Sequence, residues 1–146
     1  MKFITIIGIG LIGSSIARIV KSIDSNIQIN IVDNSKENLE QCRLLKLGNI
    51  FNSEINVKIE ESDLIFVCTP ISSYEQIFNI LNKFELSKAI ISDVGSSKVK
   101  VIELAQKILK NIPDLGICEL TRSDIVRHPL VQRIIEAYQD HREPKA

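Results

Sequence analysis

The sequence has no excess of charge and no long apolar run. Its 146 residues include 18 basic and 18 acidic side chains, without an extended block of either sign. Proteins that bind nucleic acids concentrate basic side chains against the phosphates, so no DNA or RNA partner is expected. Because no apolar stretch reaches the roughly 20 residues that span a bilayer, we do not expect a membrane protein either.

Cysteine, proline and glycine are also scarce. The three cysteines, Cys42, Cys68 and Cys118, stand far apart without a C-x-x-C pair, which argues against a disulfide framework and against a metal site. Four prolines, six glycines and a hydrophobic share of 45% exclude a disordered or low-complexity chain. The composition therefore predicts a globular, cytoplasmic protein with reduced thiols and one real core.

The first residues superficially resemble a secretory signal, because an apolar run follows Met1-Lys2 and Ser15-Ile16-Ala17 resembles a cleavage site with small residues at its first and third positions. A plain signal has no reason to place glycines at positions 8, 10 and 13. We therefore interpret this stretch as part of the folded domain.

Apolar runs alternate with stretches of helical periodicity along the chain. The runs typical of strands buried on both faces of a parallel sheet are residues 2–7, 27–32, 64–68 and 89–93. A helix is predicted after each run. Strands that alternate with helices indicate an α/β fold with a doubly wound parallel sheet.

Two of these helices carry more specific predictions. The helix that begins at Leu11 has an apolar face of helical spacing, formed by Ile12, Ile16, Ile19, Val20 and Ile23. The next helix runs from Lys36 to about Leu47 after a cap from Asn34-Ser35. It ends at Gly48, a residue suited to the left-handed position after a helix.

A glycine-rich turn joins the first predicted strand to the first helix. Gly8, Gly10 and Gly13 match the pattern G-x-G-x-x-G, with Leu11 and Ile12 between the last two glycines. The first glycine of this pattern makes a tight turn, the second lets backbone approach a pyrophosphate, and the third allows close helix packing. Phosphates would lie on unpaired amides at the helix N-terminus, so no basic side chain is required.

Asp33 follows the second predicted strand, where a carboxylate can accept hydrogen bonds from the adenosine ribose of a dinucleotide. An arginine directly after this acid would accommodate the 2'-phosphate of NADP. Here Asn34-Ser35 follows and Lys36 is the nearest cation, so NAD is favoured over NADP. The alternative is that Asp33 only caps the second helix.

Two further segments follow predicted strands at the carboxyl edge of the sheet, where open α/β folds bind ligands. One is Cys68-Thr69-Pro70, and the other is the turn that begins at Asp93 and reads Asp93-Val94-Gly95-Ser96-Ser97-Lys98. Both segments are candidates for lining the nicotinamide half of the cofactor. The alternative for each is a plain strand end, or a turn with a helix cap.

Together these features predict a Rossmann-type dinucleotide-binding domain over residues 1–112, followed by a divergent tail over 113–146. The tail is predicted to contain one short helix that begins near Pro129. Its apolar stripe consists of Leu130, Val131, Ile134, Ile135 and Tyr138.

The glycine turn with Ser14-Ser15 after it, the segment 68–70 and the turn 93–98 occur in an order that resembles the prephenate/arogenate dehydrogenase family of tyrosine biosynthesis. The resemblance covers about residues 1–110. It implies an NAD-dependent oxidoreductase that moves a hydride from the ring carbon bearing the 4-hydroxyl to the nicotinamide, with loss of the ring carboxylate as CO2. It also implies that Ser96 is the catalytic serine, which contacts the substrate hydroxyl or its histidine partner.

The chain departs from this family after Lys98. The family has a strand ending in His-Pro with the catalytic histidine, whereas the corresponding region here reads Cys118-Glu119-Leu120. His128-Pro129 lies further on and is interpreted as the start of a helix. The tail does not resemble the helical second domain that completes the substrate site and forms the dimer in the family. We therefore expect the chain to bind the cofactor. The sequence leaves three questions open: whether this chain alone is catalytic, whether the substrate is prephenate or arogenate, and whether the chain forms a homodimer.

Two alternative functions remain. One is a different two-domain Rossmann reductase, related to 6-phosphogluconate dehydrogenase or pyrroline-carboxylate reductase, against which the sequence Asp-Val-Gly-Ser at 93–96 argues. The other is a non-catalytic nucleotide-binding or regulatory module whose C-terminal helix docks onto a partner. Cofactor binding without turnover would favour the second alternative.

Overall fold

The computed structural model describes residues 1–95 and 98–109. Five strands lie within these residues: β1 (Phe3–Ile7), β2 (Gln28–Val32), β3 (Ile50–Asn52), β4 (Leu64–Val67) and β5 (Ile90–Asp93). They pair in parallel in the order β3-β2-β1-β4-β5. The sheet grows outward from β1 in one direction and then in the other, which confirms the predicted doubly wound Rossmann fold.

Helices cover both faces of this sheet. The same described ranges contain α1 (Leu11–Ile23), α2 (Lys36–Leu44), α3 (Tyr74–Leu81) and α4 (Lys98–Leu109), with short 3-10 helices at Val57–Glu61 and Ile71–Ser73. Each of these four α-helices follows a strand, so the alternation predicted from the sequence is confirmed for the described residues.

The residues of the strands alternate between two hydrophobic cores, one on each face of the sheet. Ile4 and Ile6 of β1 pack in the core under α1 and α2, whereas Ile7 of the same strand packs in the core under α3 and α4. This is the pattern of a strand buried on both faces. Each isoleucine removed from water in this way contributes about 1.5–3 kcal/mol to folding.

Four hydrogen-bonded polar side chains cross the sheet, and we call them the polar ladder: Ser62, Thr5, Asn30 and Asn52. The hydroxyls of Ser62 and Thr5 are 2.7 Å apart, and the Asn30 amide donates to Thr5 at 3.1 Å. The Asn52 amide then donates to the Asn30 side-chain oxygen at 2.9 Å. Because a slip of one residue would move these groups to the opposite face, the ladder favours the observed register.

The buried face of α1 differs from the prediction. The helix buries Gly13, Ala17 and Val20, while Ile19 and Ile23 are 57% and 75% exposed. The predicted apolar face was therefore wrong except at Val20 and the partly buried Ile16, and Ile12 is also exposed. Small side chains face the sheet because α1 starts directly above the glycine turn and approaches the strands closely.

The end of α2 also differs from the prediction. The helix ends at Leu44, and the left-handed residue that follows is Lys46, with φ 53°, and not Gly48. The space beside Gly48 is filled by β2, since a β-carbon there would lie 2.7 Å from the Ile31 Cδ1 atom and 3.1 Å from the Ile29 carbonyl oxygen. The strand β3 lies in a stretch for which the sequence pattern gave no prediction.

Several predictions fall outside the described residues. These are the roles of Ser96 and His128, the domain boundary at 112 and the helix of the tail. Over residues 1–95 and 98–109, no helix combines the length and the apolar character needed to cross a bilayer.

Candidate cofactor site

The turn between β1 and α1 has the geometry that its three glycines predict. Gly8 adopts φ +90°, a conformation that side chains other than hydrogen rarely allow, and its amide donates to the Val32 carbonyl at 2.8 Å. A β-carbon at Gly8 would also lie 2.8 Å from the Thr69 methyl carbon. The first glycine therefore lets the turn fit between the ends of β2 and β4.

The other two glycines differ in their surroundings. A β-carbon at Gly13 would overlap the Gly8 carbonyl oxygen, so this position must be glycine for α1 to pack against the turn. A β-carbon at Gly10 would meet no described atom within 4 Å outside its chain neighbours. The space beside Gly10 is thus open, as expected where backbone approaches a ligand.

The N-terminus of α1 faces this open space. Gly10 is the N-cap residue, no side chain among the described residues caps the helix, and the first turn contains no acidic side chain. The first residues, Leu11 and Ile12, are 86% and 49% exposed. Unpaired amides and the positive end of the helix dipole therefore favour an anion here.

Asp33 is hydrogen-bonded both to the glycine turn and to the start of α2. Its Oδ2 atom accepts from the Ile9 amide at 2.8 Å, and its Oδ1 atom accepts from the Ser35 amide at 2.9 Å. The Asn38 side-chain amide also donates to Oδ1, at 3.3 Å. The cap of α2 is Ser35, whose hydroxyl accepts from the Asn38 backbone amide at 3.2 Å. Ser35 therefore caps α2, which agrees with the cap predicted from Asn34-Ser35.

The end of β4 lies against the glycine turn. The Cys68 amide donates to the Ile7 carbonyl at 2.7 Å, which places Cys68 beside the last residue of β1. Burial and then the charge of Asp93 raise the pKa of the Cys68 thiol to about 11, so the thiol stays protonated at neutral pH. This segment can therefore contact a ligand but offers no thiolate nucleophile.

Thr69 and Pro70 continue from Cys68. The Thr69 hydroxyl oxygen is buried and has no hydrogen-bond partner within the described residues. Pro70 is exposed and is the N-cap residue of the short 3-10 helix Ile71–Ser73. A buried hydroxyl without a partner is costly, so this atom is a natural place for a hydrogen bond from a ligand or a water molecule.

The turn after β5 is folded against β4 and α3. The Gly95 amide donates to the Asp93 Oδ1 atom at 2.8 Å, and the Val94 amide donates to the Val67 carbonyl at 3.3 Å. Burial, then the charges of Asp93 and Cys68, raise the pKa of the nearby Tyr74 phenol to about 12, against a smaller opposite effect of the Val94 amide. The turn leads on to Ser96, the predicted catalytic serine.

The structure brings the glycine turn, Asp33 and the ends of β4 and β5 to the carboxyl edge of one sheet. Two features were missed at the sequence level. The bond from the Ile9 amide to Asp33 has no signal in the sequence, because it depends on the side-chain orientation. Tyr74 had one, since it stands at helical spacing before Ile77, Phe78 and Leu81, which predicts its burial.

A family described as prephenate dehydrogenase, nucleotide-binding domain, matches residues 16–114 of the chain. The match begins inside α1, so the interpretation of the glycine turn rests on the geometry above. The cyclohexadienyl dehydrogenase of Zymomonas mobilis is 31% identical over an alignment 145 residues long. The alignment covers 89% of this chain and 48% of that protein. The chain thus spans about half the length of this curated relative.

Two further comparisons are more limited. The crystal structure of prephenate dehydrogenase from A. aeolicus in complex with hydroxyphenyl propionate and NAD+ has a TM-score of 0.69 and 22% identity, over 77% of this chain and 40% of that one. At this identity the likeness supports the fold alone. A PhoH-like protein of Synechocystis is 44% identical over 48 residues, or 33% of this chain and 15% of that protein. That match is too short to assign a family.

Proposed function

Because the chain belongs to the family of the prephenate dehydrogenase nucleotide-binding domain, we propose that it binds NAD along the carboxyl edge of its sheet. The pyrophosphate lies on the glycine turn, formed by Gly8, Gly10, Leu11, Ile12 and Gly13. The adenosine ribose lies on Asp33. The nicotinamide half lies near the strand ends, at Cys68, Thr69, Pro70 and Asp93.

The observation that carries this proposal is the open space beside Gly10 in front of the uncapped α1. A pyrophosphate can approach the backbone at the second glycine of the pattern because this residue has no side chain. Apart from its chain neighbours, no described atom lies within 4 Å of the position that a β-carbon of Gly10 would occupy. The first and third glycines instead face protein atoms. This division of roles matches a dinucleotide turn better than a plain connection.

The choice of NAD over NADP rests on Asp33. A carboxylate at the ribose accepts hydrogen bonds from its hydroxyls but repels a 2'-phosphate. Asn34 and Ser35 follow without a positive charge, and Lys36 is exposed at the start of α2. The Asp33 carboxylate is also fixed in place by Ile9 and Ser35, so it cannot turn away at low cost.

The reaction we propose for the whole protein is the oxidation of prephenate or arogenate, as a cytoplasmic step of tyrosine biosynthesis. NAD, when bound, supplies the hydride acceptor. The substrate ring loses a hydride and its carboxylate as CO2 and becomes aromatic. Ser96 is proposed to hold the substrate hydroxyl. The proposals of a homodimer or a partner bound through the C-terminal helix rest on the family resemblance and the apolar stripe of the tail.

Calorimetric titration of the purified chain with NAD and NADP tests the proposed binding. We expect NAD to bind more tightly than NADP, and Asp33→Ala to weaken NAD binding at least tenfold, because a hydrogen bond to a charged group contributes about 1.5–3 kcal/mol. Glu37→Ala removes one exposed acid from the first turn of α2 and serves as the matched control, with unchanged NAD binding. Unchanged NAD binding by Asp33→Ala would show that Asp33 does not contact the ribose.

Absorbance of reduced nicotinamide, measured with prephenate and then arogenate added, tests the proposed reaction. Turnover of either substrate would support the oxidoreductase and identify its substrate. Binding of NAD without turnover of either would mean that this chain alone is a nucleotide-binding module.

A further inference from the structure

The phenol of Tyr74 bridges the ends of two strands. Tyr74 is the first residue of α3 and is fully buried, and its hydroxyl donates to the Val67 carbonyl at 3.2 Å. The same carbonyl accepts from the Val94 amide at 3.3 Å. The phenol, the last residue of β4 and the turn after β5 therefore meet at the Val67 carbonyl.

The turn also rests directly on the phenol. A β-carbon at Gly95 would lie 3.0 Å from the Asp93 Oδ1 atom and 3.4 Å from the Tyr74 hydroxyl, so the turn lies close to both groups and leaves little room for a side chain. The Tyr74 ring is held by an edge-to-face contact with Phe78, with centroids 5.6 Å apart. Phenylalanine would provide the same ring packing, so the hydroxyl itself needs a further explanation.

We propose that Tyr74 is a positioning residue, an inference that rests on the proposed NAD site. The Tyr74 hydroxyl holds Asp93–Gly95 against the end of β4 and so shapes the nicotinamide end of that site. The adenosine end is built from Asp33 and the turn at Ile9, on the other side of β1. Removal of the hydroxyl should therefore affect one half of the bound dinucleotide and spare the other.

Titration of Tyr74→Phe with NAD and with ADP-ribose tests this proposal, because ADP-ribose lacks only the nicotinamide. We expect NAD to bind about three- to tenfold more weakly, as for the loss of one buried hydrogen bond, while ADP-ribose binding stays within about twofold. Ile29→Val is the control, because Ile29 is fully buried in the core on the opposite face of the sheet from Tyr74. It should lower the melting temperature and leave the ratio of the two affinities unchanged.

The fluorescence of bound NADH gives a second readout of the nicotinamide end. An ordered, water-poor environment enhances this emission, so Tyr74→Phe saturated with NADH should emit less than the saturated wild type. Gly95→Ala should have the same effect, because the added methyl group would lie 3.0 Å from the Asp93 Oδ1 atom and so displace the turn. This variant also keeps the test intact where Tyr74→Phe fails to fold.

The outcomes separate this proposal from the proposed function. Wild-type binding of both ligands with a selective loss of NAD binding in Tyr74→Phe and Gly95→Ala would support the positioning role. Equal losses for both ligands, or no loss, would overturn it while the NAD site stands. Failure of the wild type to bind either ligand would overturn the proposed function and this inference together.

Discussion

The Asp33 carboxylate accepts a hydrogen bond from the Ile9 amide at 2.8 Å. This hydrogen bond connects the acid at the end of β2 to the backbone of the glycine turn. Its other oxygen accepts from the Ser35 amide, which ties the turn to the start of α2. If the ribose binds at Asp33 as proposed, its hydroxyl joins hydrogen bonds that are already ordered, which lowers the free-energy cost of ordering the site on binding.

The double role of Asp33 predicts that its variants separate folding from binding. Asp33→Asn keeps one acceptor oxygen, so we expect a loss of about 1 kcal/mol in the free energy of unfolding, against about 2–3 kcal/mol for Asp33→Ala. Asp33→Asn should also narrow the preference for NAD over NADP, because the charge that repels the 2'-phosphate is gone. Urea denaturation and calorimetry measure these effects. Equal stability of wild type and Asp33→Ala would contradict the structural role.

The glycines of the turn should respond differently to alanine. Gly10→Ala places its methyl group in open space, so we expect a change in unfolding free energy of about 1 kcal/mol or less and a marked loss of NAD binding. Gly13→Ala overlaps the Gly8 carbonyl oxygen and should destabilise the domain by about 2 kcal/mol or more. Thermal unfolding measures the stability of the two variants, and calorimetric titration measures their NAD binding. A Gly10→Ala protein that binds NAD like the wild type would show that the pyrophosphate lies elsewhere.

The polar ladder predicts a stability loss from a nearly isosteric substitution. Thr5→Val leaves the Asn30 amide and the Ser62 hydroxyl without their buried partner, which should cost about 1–3 kcal/mol. Thr5→Ser keeps the hydroxyl and loses only a methyl group, about 1 kcal/mol. Urea denaturation measures both variants. A Thr5→Val protein as stable as the wild type would mean that the ladder contributes nothing to stability.

Alkaline pH should destabilise the fold through Cys68. Its thiol has an ordinary pKa of 9.0 and a pKa of about 11 in the folded chain. The unfolded chain therefore loses the proton first as pH rises, so the contribution to stability is complete below about pH 9 and is lost as pH passes through about 11. In Cys68→Ser the unfolding free energy should fall less steeply between these values. An identical slope in the variant would contradict the raised pKa.

The sequence was sufficient to predict the β-α alternation, the glycine turn and the cap at Ser35. These features depend on local pattern, since each is specified within a few neighbouring residues. The face of α1 was not predictable from hydrophobicity, because the close approach to the strands selects Gly13 and Ala17 by size and leaves Ile19 and Ile23 exposed. Gly48 was likewise selected by its contact with Ile31, which lies on another element.

The segments of the candidate site and their position at the carboxyl edge of the sheet were predicted from the sequence, but the hydrogen bonds between them were not. The sequence placed Asp33 and the glycines at strand ends, but the bond between Asp33 and the Ile9 amide depends on tertiary geometry. The hydrogen bond from the Tyr74 phenol to the Val67 carbonyl likewise depends on tertiary geometry. Hydrogen bonds between distant segments follow from the assembled sheet and leave no periodic signal in the sequence.

The most direct test of the central claim is an NMR titration of the 15N-labelled chain with NAD. The account predicts that the largest amide shifts occur at the glycine turn 8–13, at Asp33 and at the strand ends 68–70 and 93–95. The opposite edge of the sheet, where Asp63 accepts from the Phe3 amide, should show no shift and serves as the internal reference. Shifts centred at that opposite edge, or no shifts at saturating NAD, would contradict the account.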